Sequence, residues 1–581
     1  MNLWPCTIVL LLTAAPSEAD LGFEAIAKRY IDEYPALSPV DATTLGDHRF
    51  DGQLDQVSLA ARKKSADFGR RFLKKLQSVN RGRLSRANQV DYLLLEHELR
   101  KRIWRVEKLR EWRWNPLVYT ELAGAAIYGL MAREFAPLPR RLNRVADRLE
   151  QFPRLFKQIR GTLEPRRVPR IHAETAVKQN RGVLSILRNM VEPRLGKLTK
   201  RDRIRLQRVI KSARVAVEQQ QKWLENEVLA KAGGNFRLGS ARYDEKLRFT
   251  LHTPLTRDQI RLRAESELKR VRGDMYTIAK GVYRRKYPYT RFPKNPASGY
   301  RQAIIRAALE EAYIQRPPAG GIVAAAKKSL RETTEFVRKH DLITIPPDPV
   351  EIIVMPEFQR GISLAYCDSP GPLDVGQKTF YAVAPLPKSW TTRQVDSFLR
   401  EYNTRSIHNL TIHEAMPGHF VQLSHSNRYP GKLRAVLSSG VFIEGWAVYT
   451  EQMMVEAGFL NRDPLMKLIV LKWYLRGIAN AILDQAIHCD GISRDPAMRL
   501  MMEGTFQEER EAAAKWVRAQ LTSTQLSTYF VGYLEHVDLR KQAEQQWKQK
   551  FRLKSYHDKV LSFGSPPVKY AGDLLLGRKI R

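Results

Sequence analysis

The sequence predicts a mainly α-helical fold, a large multi-helix protein with one small antiparallel β-sheet. Three observations support this prediction. Apolar residues recur at spacings of three and four over most of the 581 residues, which is the period of a helix with one buried face. Proline and glycine fall mainly between those runs. Only two short β-branched runs break the pattern, both between residues 351 and 384.

Residues 1–19 have the pattern of a secretory signal peptide. Thr7 to Ala15 is an apolar run, and Ser17-Glu18-Ala19 offers small residues at the cleavage positions. No Lys or Arg precedes the run, so an ordinary N-terminal helix is the alternative. Cleavage after Ala19 would leave Cys367 and Cys489, which form one disulfide at most. We therefore expect an exported protein, periplasmic or secreted, whose fold does not depend on disulfides.

The chain after the signal segment divides into two predicted lobes. Residues 20–250 are helical almost throughout, beginning with the stripe of Phe23, Ile26 and Tyr30. Residues 251–581 form the second lobe and carry the chemistry. We expect the two lobes to pack as one integrated domain.

Two segments of the second lobe favour β-strands. Glu351 to Met355 and Lys378 to Ala384 are rich in β-branched and aromatic residues, and turn residues Ser369 to Pro372 lie between them. Two strands joined in this way predict an antiparallel pair, and an exposed edge at Thr379–Ala384 would hold an extended peptide. The alternative is a buried loop with extended pieces.

The net charge is +37 and the isoelectric point about 10.1. Basic residues are spread along the chain between apolar positions, which is typical of solvated helix faces rather than of a basic tail. Weak contact with a polyanion or anionic surface is the alternative. No nucleic-acid-binding motif accompanies the charge, so we expect no specific nucleic-acid partner. After the signal segment no apolar run approaches about 18 residues, so we expect no transmembrane segment.

The central motif is His413-Glu414-Ala415-Met416-Pro417-Gly418-His419. It resembles H-E-x-x-H with a Pro-Gly pair inserted before the second histidine. In H-E-x-x-H, two histidines bind a metal and the Glu is general base for the water that the metal activates. Here the histidines are six residues apart, roughly 240° around a regular helix. Pro417 and Gly418 predict a break at 416–418 that returns His419 to the side of His413.

A third metal ligand is expected downstream. Hydrolytic zinc sites commonly use two histidines and one carboxylate. Glu444 lies 25 residues beyond His419, which leaves room for a second helix to come alongside. Glu451, seven residues later on the same face, is placed to hold a ligand histidine in one tautomer. The alternative for Glu444 is an acidic residue favoured near a helix N-terminus.

Further candidates lie on later helices. Leu465 to Cys489 is a predicted helix whose polar residues recur every four positions, either as a solvated face or facing a polar cavity. Downstream, a late phenol or guanidinium is a suitable donor to the oxyanion of carbonyl hydrolysis, although buried tyrosine is a common structural residue. The candidates are Arg476, Asn480, Asp484, His488, Tyr529 and Arg540.

These residues together resemble the bacterial domain-of-unknown-function 885 family. Its motif H-E-x-x-P-G-H-x-x-Q is matched from His413 to Gln422, and its E-G-W-A-x-Y-x-E from Glu444 to Glu451. Where the family often has a second histidine, this chain has Phe420. The resemblance covers nearly the whole chain after the signal segment, with further matches at Pro39, Ala42-Thr43, Gly46, Asn115-Pro116, Arg476, Asp484, His488, Tyr529, Gly532, Arg540, His557-Asp558 and Ser565-Pro566.

The resemblance implies a zincin-like fold of the Glu-zincin (gluzincin) kind. By this likeness His413, His419 and Glu444 bind one Zn²⁺ ion, and Glu414 is the base. We expect Glu451, with Asp484 and Arg476, to support the ligands. We expect the oxyanion to be stabilised by His488, Tyr529 or Arg540.

The expected function is that of an exported zinc metallopeptidase that hydrolyses short peptides. Two alternatives stay open. One is a non-catalytic, basic, envelope-binding protein in which the metal is structural. The other is a zinc amidase or esterase that acts on a non-peptide acyl bond, because the motif does not specify the scissile bond.

Overall fold

The computed structural model describes residues 17–355, 365–387 and 389–581. Most of the predicted signal peptide, residues 1–16, therefore lies outside the described residues. The first helix begins at Glu18, and the Ser17 side chain caps it by accepting a hydrogen bond from the Asp20 backbone N–H. Among the described helices, none is both long enough and apolar enough to cross a membrane.

The first half of the chain is helical, as its apolar periodicity predicts. Its helices are α1 Glu18–Glu33, α2 Pro39–Thr44, α3 Leu59–Gln77, α4 Arg86–Trp104, α5 Glu111–Trp114, α6 Leu117–Met131, α7 Leu138–Leu149, α8 Phe152–Thr162, α9 Arg170–Ile186, α10 Lys200–Trp223, α11 Ser240–Leu251, α12 Arg257–Lys286, α13 Ser298–Ile314 and α14 Ile322–Lys339.

The second half contains a short sheet and then returns to helices. Its elements are β1 Val350–Val354, β2 Ala365–Asp368, β3 Thr379–Val383, α15 Thr392–Glu401, α16 Thr404–Glu414, α17 His419–Ser426, α18 Lys432–Val436, α19 Gly440–Glu456, α20 Phe459–Arg462, α21 Pro464–Gln485, α22 Arg494–Arg499, α23 Glu509–Leu521, α24 Ser527–Trp547, α25 Leu553–Leu561 and α26 Val568–Leu575. The prediction of a mainly α fold with one small sheet is confirmed.

The pairing of the sheet differs from the antiparallel prediction. Strand order is β1-β3-β2, with β2 antiparallel and β1 parallel to the central strand β3. The turn at Ser369–Pro372 connects β2 to β3, and not β1 to β3 as predicted. Strand β2 was missed because Ala-Tyr-Cys-Asp is short and lacks β-branched residues. Since β3 is paired on both sides, the prediction that it binds a peptide at a free edge is wrong.

The hydrophobic core has two main clusters, one in each segment of the chain, and a buried ion pair connects the segments. One large cluster draws on residues 243–576 and another on residues 40–228. Between α4 and α18, Arg434 and Asp91 form a buried ion pair at 2.6 Å, and the Arg434 guanidinium also donates to the Ala87 and Phe563 carbonyls. Cys367 and Cys489 are both free thiols, so this packing does not depend on a disulfide.

Helices α19 and α24 approach each other at a pair of glycines. A Cβ atom on Gly445 would lie 2.3 Å from the backbone carbon of Gly532, and one on Gly532 would lie 2.2 Å from the Val441 carbonyl oxygen. Both contacts are with backbone atoms, which cannot rotate away. The two helices can therefore pack at this distance only if both positions lack side chains.

We expect Gly532→Ala to destabilise the protein by about 1–3 kcal/mol or more, because the added methyl group forces α19 and α24 apart. Gly273→Ala is the matched control. Gly273 lies within α12 with no atom within 4 Å of an added Cβ, so that substitution should be neutral or stabilise by about 0.5–1 kcal/mol. Urea unfolding of both variants measures the difference. Equal free energies of unfolding would contradict the close helix contact.

His48 connects the N-terminal segment to the loop before β3. Its ring stacks on Phe135, Nδ1 lies 3.1 Å from Asp51, and Nε2 lies 3.1 Å from Asp374. Burial alone would lower the pKa of His48, but the hydrogen bonds to Asp374 and Asp51 outweigh it and raise the pKa to about 9. The protonated ring is therefore held more strongly in the folded protein than in the unfolded chain.

This contact should stabilise the protein most at acidic to neutral pH. An unfolded histidine has a pKa of about 6.5, so the contribution is complete below that pH and is lost as pH rises through about 9. We expect His48→Gln to cost about 2–3 kcal/mol at pH 6 and much less at pH 9.5. Urea unfolding of both proteins at each pH tests this. A difference that stays constant with pH would contradict the charged state of His48.

Candidate metal centre

The helix that carries the first histidine breaks where the sequence predicts. Helix α16 ends at Glu414, a turn covers residues 415–418, and α17 begins at His419. The Trp446 indole N–H, on α19, donates to the Pro417 carbonyl oxygen at 3.0 Å. A Cβ atom on Gly418 would lie 2.0 Å from the His413 carbonyl oxygen, so only glycine permits this return of the chain.

The motif ends on a residue that fixes the following helix. Gln422 is fully buried, and its amide donates to the Ser426 hydroxyl at 3.1 Å and to the Ser565 hydroxyl at 2.5 Å. The Ser565 carbonyl oxygen accepts from the Ser439 backbone N–H at the start of α19. Gln422 and Ser565 therefore hold α17 and α19 in register, which positions His419 relative to Glu444.

The break brings both histidines together with Glu444. The His413 and His419 ring centroids are 4.7 Å apart, and Nε2 of each ring lies 3.6 Å from Glu444 Oε2. The three ligand atoms lie within 4.8 Å of one another. A separation of 3.6 Å is too long for a hydrogen bond. It is close to the separation of two atoms that are each about 2.0–2.2 Å from one zinc ion.

The polar atoms at this point fit a cation. Glu444 Oε2 is buried and has no hydrogen-bond donor within the described part of the chain, an arrangement that is unfavourable for a carboxylate unless a cation binds it. Burial would raise the pKa of Glu444, but the two adjacent histidines outweigh burial and lower it. An ionised carboxylate with two imidazoles is the donor set of hydrolytic zinc sites.

Glu451 orients the first histidine. Its Oε1 lies 2.7 Å from His413 Nδ1, and its Oε2 accepts a hydrogen bond from the Asn409 amide at 2.6 Å. The carboxylate holds the His413 proton on Nδ1, which leaves Nε2 as the atom that faces Glu444. His419 differs, because its Nδ1 is buried without a partner among the described residues.

Glu414 is held beside this cluster with a free carboxylate. It is the last residue of α16 and is 8% exposed. In the described residues its side chain has no hydrogen bond or ion pair, so its oxygens are available to a water molecule. Burial and the nearby charge of Glu414 both raise the pKa of Tyr381, a phenol of the central strand β3.

Tyr529 is close enough to Glu444 to interact with its charge, and so is Arg518, a residue that the sequence analysis missed. Tyr529 Oη accepts hydrogen bonds from the Arg518 guanidinium at 3.1 Å and from the Gln525 amide at 3.4 Å. Burial and the charge of Glu444 raise the pKa of Tyr529, so the phenol keeps its proton. Arg518 was overlooked because it lies on α23, outside every motif. The sequence feature that could have identified Arg518 is its helical spacing from Glu511 and Lys515.

The structure places His488 and Asp484 in a different contact network. His488 Nε2 lies 2.7 Å from the Thr522 carbonyl oxygen and 3.0 Å from that of Ala519. Asp484 accepts a hydrogen bond from the Thr524 backbone N–H at 3.1 Å. Their contacts among the described residues fix the chain between α23 and α24, just before Tyr529. They do not bring either side chain to the three candidate ligands.

Two arginines that were predicted to belong to the site form ion pairs with carboxylates other than the candidate ligand. Arg476 binds Glu401 and Glu511, and Arg540 binds Glu544 at 2.8 Å and Glu456 at 3.1 Å. The polar residues at every fourth position of α21 do not form a solvated face, because their side chains are buried. Their exposed fractions are 0% for Lys472, 5% for Asn480, 0% for Asp484 and 2% for His488.

Four of the 12 histidines fall between residues 408 and 425, and the two outside the motif have structural partners. His408 Nδ1 lies 2.8 Å from the Ser329 hydroxyl, and His425 Nε2 lies 2.8 Å from the Thr344 carbonyl oxygen. His413 and His419 are the pair that the helix break brings together.

Comparison with known proteins gives a family and two structural relatives. Residues 39–575 match the family of bacterial proteins of unknown function DUF885. A protein from Shewanella oneidensis, described as a lipoprotein of unknown function, shares 33% sequence identity and a TM-score of 0.79 over 95% of this chain and 99% of its own. A protein from Colwellia psychrerythraea, also described as a lipoprotein, has the same fold. It shares 18% identity and a TM-score of 0.77 over 96% of this chain and 99% of its own.

No curated protein matches this chain. The family match extends over most of the sequence and includes the histidine motif, Glu444 and Glu451. The chain therefore belongs to the DUF885 family of bacterial proteins of unknown function.

Proposed function

We propose that this protein is a zinc-dependent peptidase of the gluzincin kind, which hydrolyses peptide bonds of short peptides. One observation carries the proposal: His413, His419 and Glu444 converge on one point, and the free carboxylate of Glu414 follows His413 directly. A purely structural zinc site needs no adjacent base and usually has four protein ligands. Two histidines and one carboxylate leave a position for water.

Each residue has a defined task in the proposed reaction. When bound, zinc supplies the Lewis acid that polarises the water and the carbonyl group. Glu414 accepts the proton of the attacking water and passes it to the leaving amine. Tyr529 already accepts hydrogen bonds from Arg518 and Gln525, so its own proton is available to the oxyanion. Glu451 keeps the His413 proton on Nδ1.

The burial of the site favours small substrates. The His413 and His419 side chains are 12% and 11% exposed, and Glu444 is 22% exposed. A folded protein could not bring its backbone to ligands at this depth without unfolding locally, whereas a short peptide can enter extended. Short peptides are therefore the substrate class that we propose.

We also propose that the protein acts in the cell envelope or outside the cell. The N-terminal apolar run has the pattern of an export signal. The two structural relatives are described as lipoproteins. The +37 charge would add weak attraction to anionic polymers or surfaces in that environment.

Hydrolysis of a degenerate peptide library tests the proposal. The purified protein is incubated with random tri- to pentapeptides, and the products are identified by mass spectrometry. We expect cleavage that a chelator abolishes and added zinc restores. Absence of cleavage, together with polyanion binding that falls steeply with salt, would favour the non-catalytic alternative. Cleavage of ester or non-peptide amide libraries alone would favour the amidase or esterase alternative.

A further inference from the structure

Helix α23 presents three charged residues on one face. Glu511, Lys515 and Arg518 follow one another at spacings of four and three, so they lie along one side of the helix. Arg518 donates to Tyr529 at 3.1 Å, and the Tyr529 phenol interacts with the charge of the candidate ligand Glu444. Lys515 lies one turn before Arg518 on the same helix. The two cations are neighbours, with Cβ atoms about 5–6 Å apart.

Positive charge exceeds negative charge around this face. Lys472 and Arg476 both bind Glu401, at 2.8 Å and 3.4 Å, and Arg476 also binds Glu511. Lys472, Arg476, Lys515 and Arg518 are four cations around two carboxylates, those of Glu401 and Glu511. The adjacent Arg400 pairs with Glu310 at 2.6 Å and with Glu508 at 3.6 Å. With these groups included, five cations face four carboxylates, so one positive charge remains in excess.

Lys515 and Arg518 are the cations without a carboxylate of their own. Lys515 is 7% exposed and has no ion pair among the described residues. The Arg518 guanidinium donates to the neutral groups of Gln525 and Tyr529, each at 3.1 Å. Glu444 is close enough to raise the pKa of Arg518, after the larger effect of Tyr529, but Glu444 is itself a candidate metal ligand.

A buried cation without a counter-ion is unfavourable in the folded protein. Burial, with repulsion from Arg476, lowers the pKa of Lys515 to about 7, which reflects this cost. The amine is therefore only partly protonated at neutral pH, and an adjacent anion would favour its charged form. An incoming anion would offset it, since charge-assisted hydrogen bonds to a carboxylate are among the strongest in proteins. The arrangement is therefore suited to bind a negatively charged group next to the metal centre.

We infer that Lys515 and Arg518 bind the free C-terminal carboxylate of a peptide substrate, so that the enzyme cleaves near the carboxyl end. This inference rests on the function proposed above. Each residue of an extended peptide spans about 3.3–3.6 Å. A carboxylate held beside Arg518 places a peptide carbonyl, one or two residues upstream, near Glu444 and Tyr529. Water adds across that C–N bond, Glu414 returns the proton to the leaving nitrogen, and an amino acid or dipeptide is released.

Binding to an inactive protein tests the inference apart from catalysis. Glu414→Gln protein is equilibrated with degenerate tripeptides that end in a free carboxylate or in an amide, and bound peptides are measured by mass spectrometry. We expect the free acids to bind about 10- to 100-fold more tightly, the range of a hydrogen bond to a charged group. Adding Lys515→Met should remove this preference. Equal binding of acids and amides, or no binding of either, would overturn the inference.

Two controls separate the possible causes. Lys541→Met removes an exposed lysine of α24 and should preserve the preference. Lys515→Met should leave the thermal midpoint unchanged or raise it, because an unpaired buried charge is removed. A large fall in the midpoint would instead indicate a structural lysine. Amidated tripeptides that bind tightly only when they contain Asp or Glu would identify an acidic side chain as the ligand and overturn the assignment to the C-terminus.

The inference and the proposed function can fail separately. Wild-type protein that cleaves acids and amides equally well would overturn the carboxylate site and leave the peptidase proposal standing. Wild-type protein that cleaves neither, while its Lys515-dependent preference for free acids persists, would support carboxylate binding and overturn the peptidase proposal.

Discussion

Replacing Glu414 by Gln should lower peptide hydrolysis by about 10²- to 10⁴-fold, the usual contribution of a general base, and leave the zinc content unchanged. The side chain keeps its size but can no longer accept the proton of the attacking water. Glu414 is not among the three converging ligand atoms, so metal binding should not depend on its charge. Turnover of the peptide library and zinc content by mass spectrometry are measured on the same preparation.

Glu456→Gln is the matched control for this substitution. Glu456 lies on α19, the helix that carries Glu444, and its side chain is 50% exposed in a pair with Arg540. The same change of charge at that surface should leave turnover close to that of the wild type. Full activity in the Glu414→Gln variant would remove Glu414 as the base.

Removing a proposed ligand should abolish zinc binding. We expect about one zinc ion per chain in the wild type, and little or none in His413→Ala and Glu444→Ala, because each substitution leaves two of the three ligands. Hydrolysis should fall with the metal content. Circular dichroism checks that the variants stay folded, since both side chains lie within the packed core.

His425→Ala is the control for the histidine substitutions. His425 lies in α17 like His419, but its ring contacts the Thr344 carbonyl oxygen. This variant should retain zinc. Equal zinc in the wild type and all three variants would contradict the ligand assignment.

Local chemistry explains which parts of the site could be predicted from the sequence. Pro417 and Gly418 predict a helix break because proline and glycine act on the backbone at their own positions. Glu451 followed from the helical period, because it lies two turns from Glu444 on the same face. Both features depend on residues that are close together in the chain.

The features that could not be predicted depend on contacts between residues that are far apart in the sequence. Strand β2 takes the antiparallel place beside β3, and only the folded chain shows that β1 pairs on the other side. The polar stripe of α21 has the pattern of a solvated face unless Glu401 and Glu511 are known to pack against it. These carboxylates lie on α15 and α23, about 71 and 35 residues away from their partners. Helical periodicity carries no information about such contacts.

Anomalous diffraction at the zinc absorption edge, on crystals of the zinc-loaded protein, tests the central claim most directly. We predict one strong peak within about 2.0–2.2 Å of His413 Nε2, His419 Nε2 and a Glu444 carboxylate oxygen. A peak coordinated by other residues, or none in crystals that contain zinc in solution, would contradict the metal centre and the peptidase built on it.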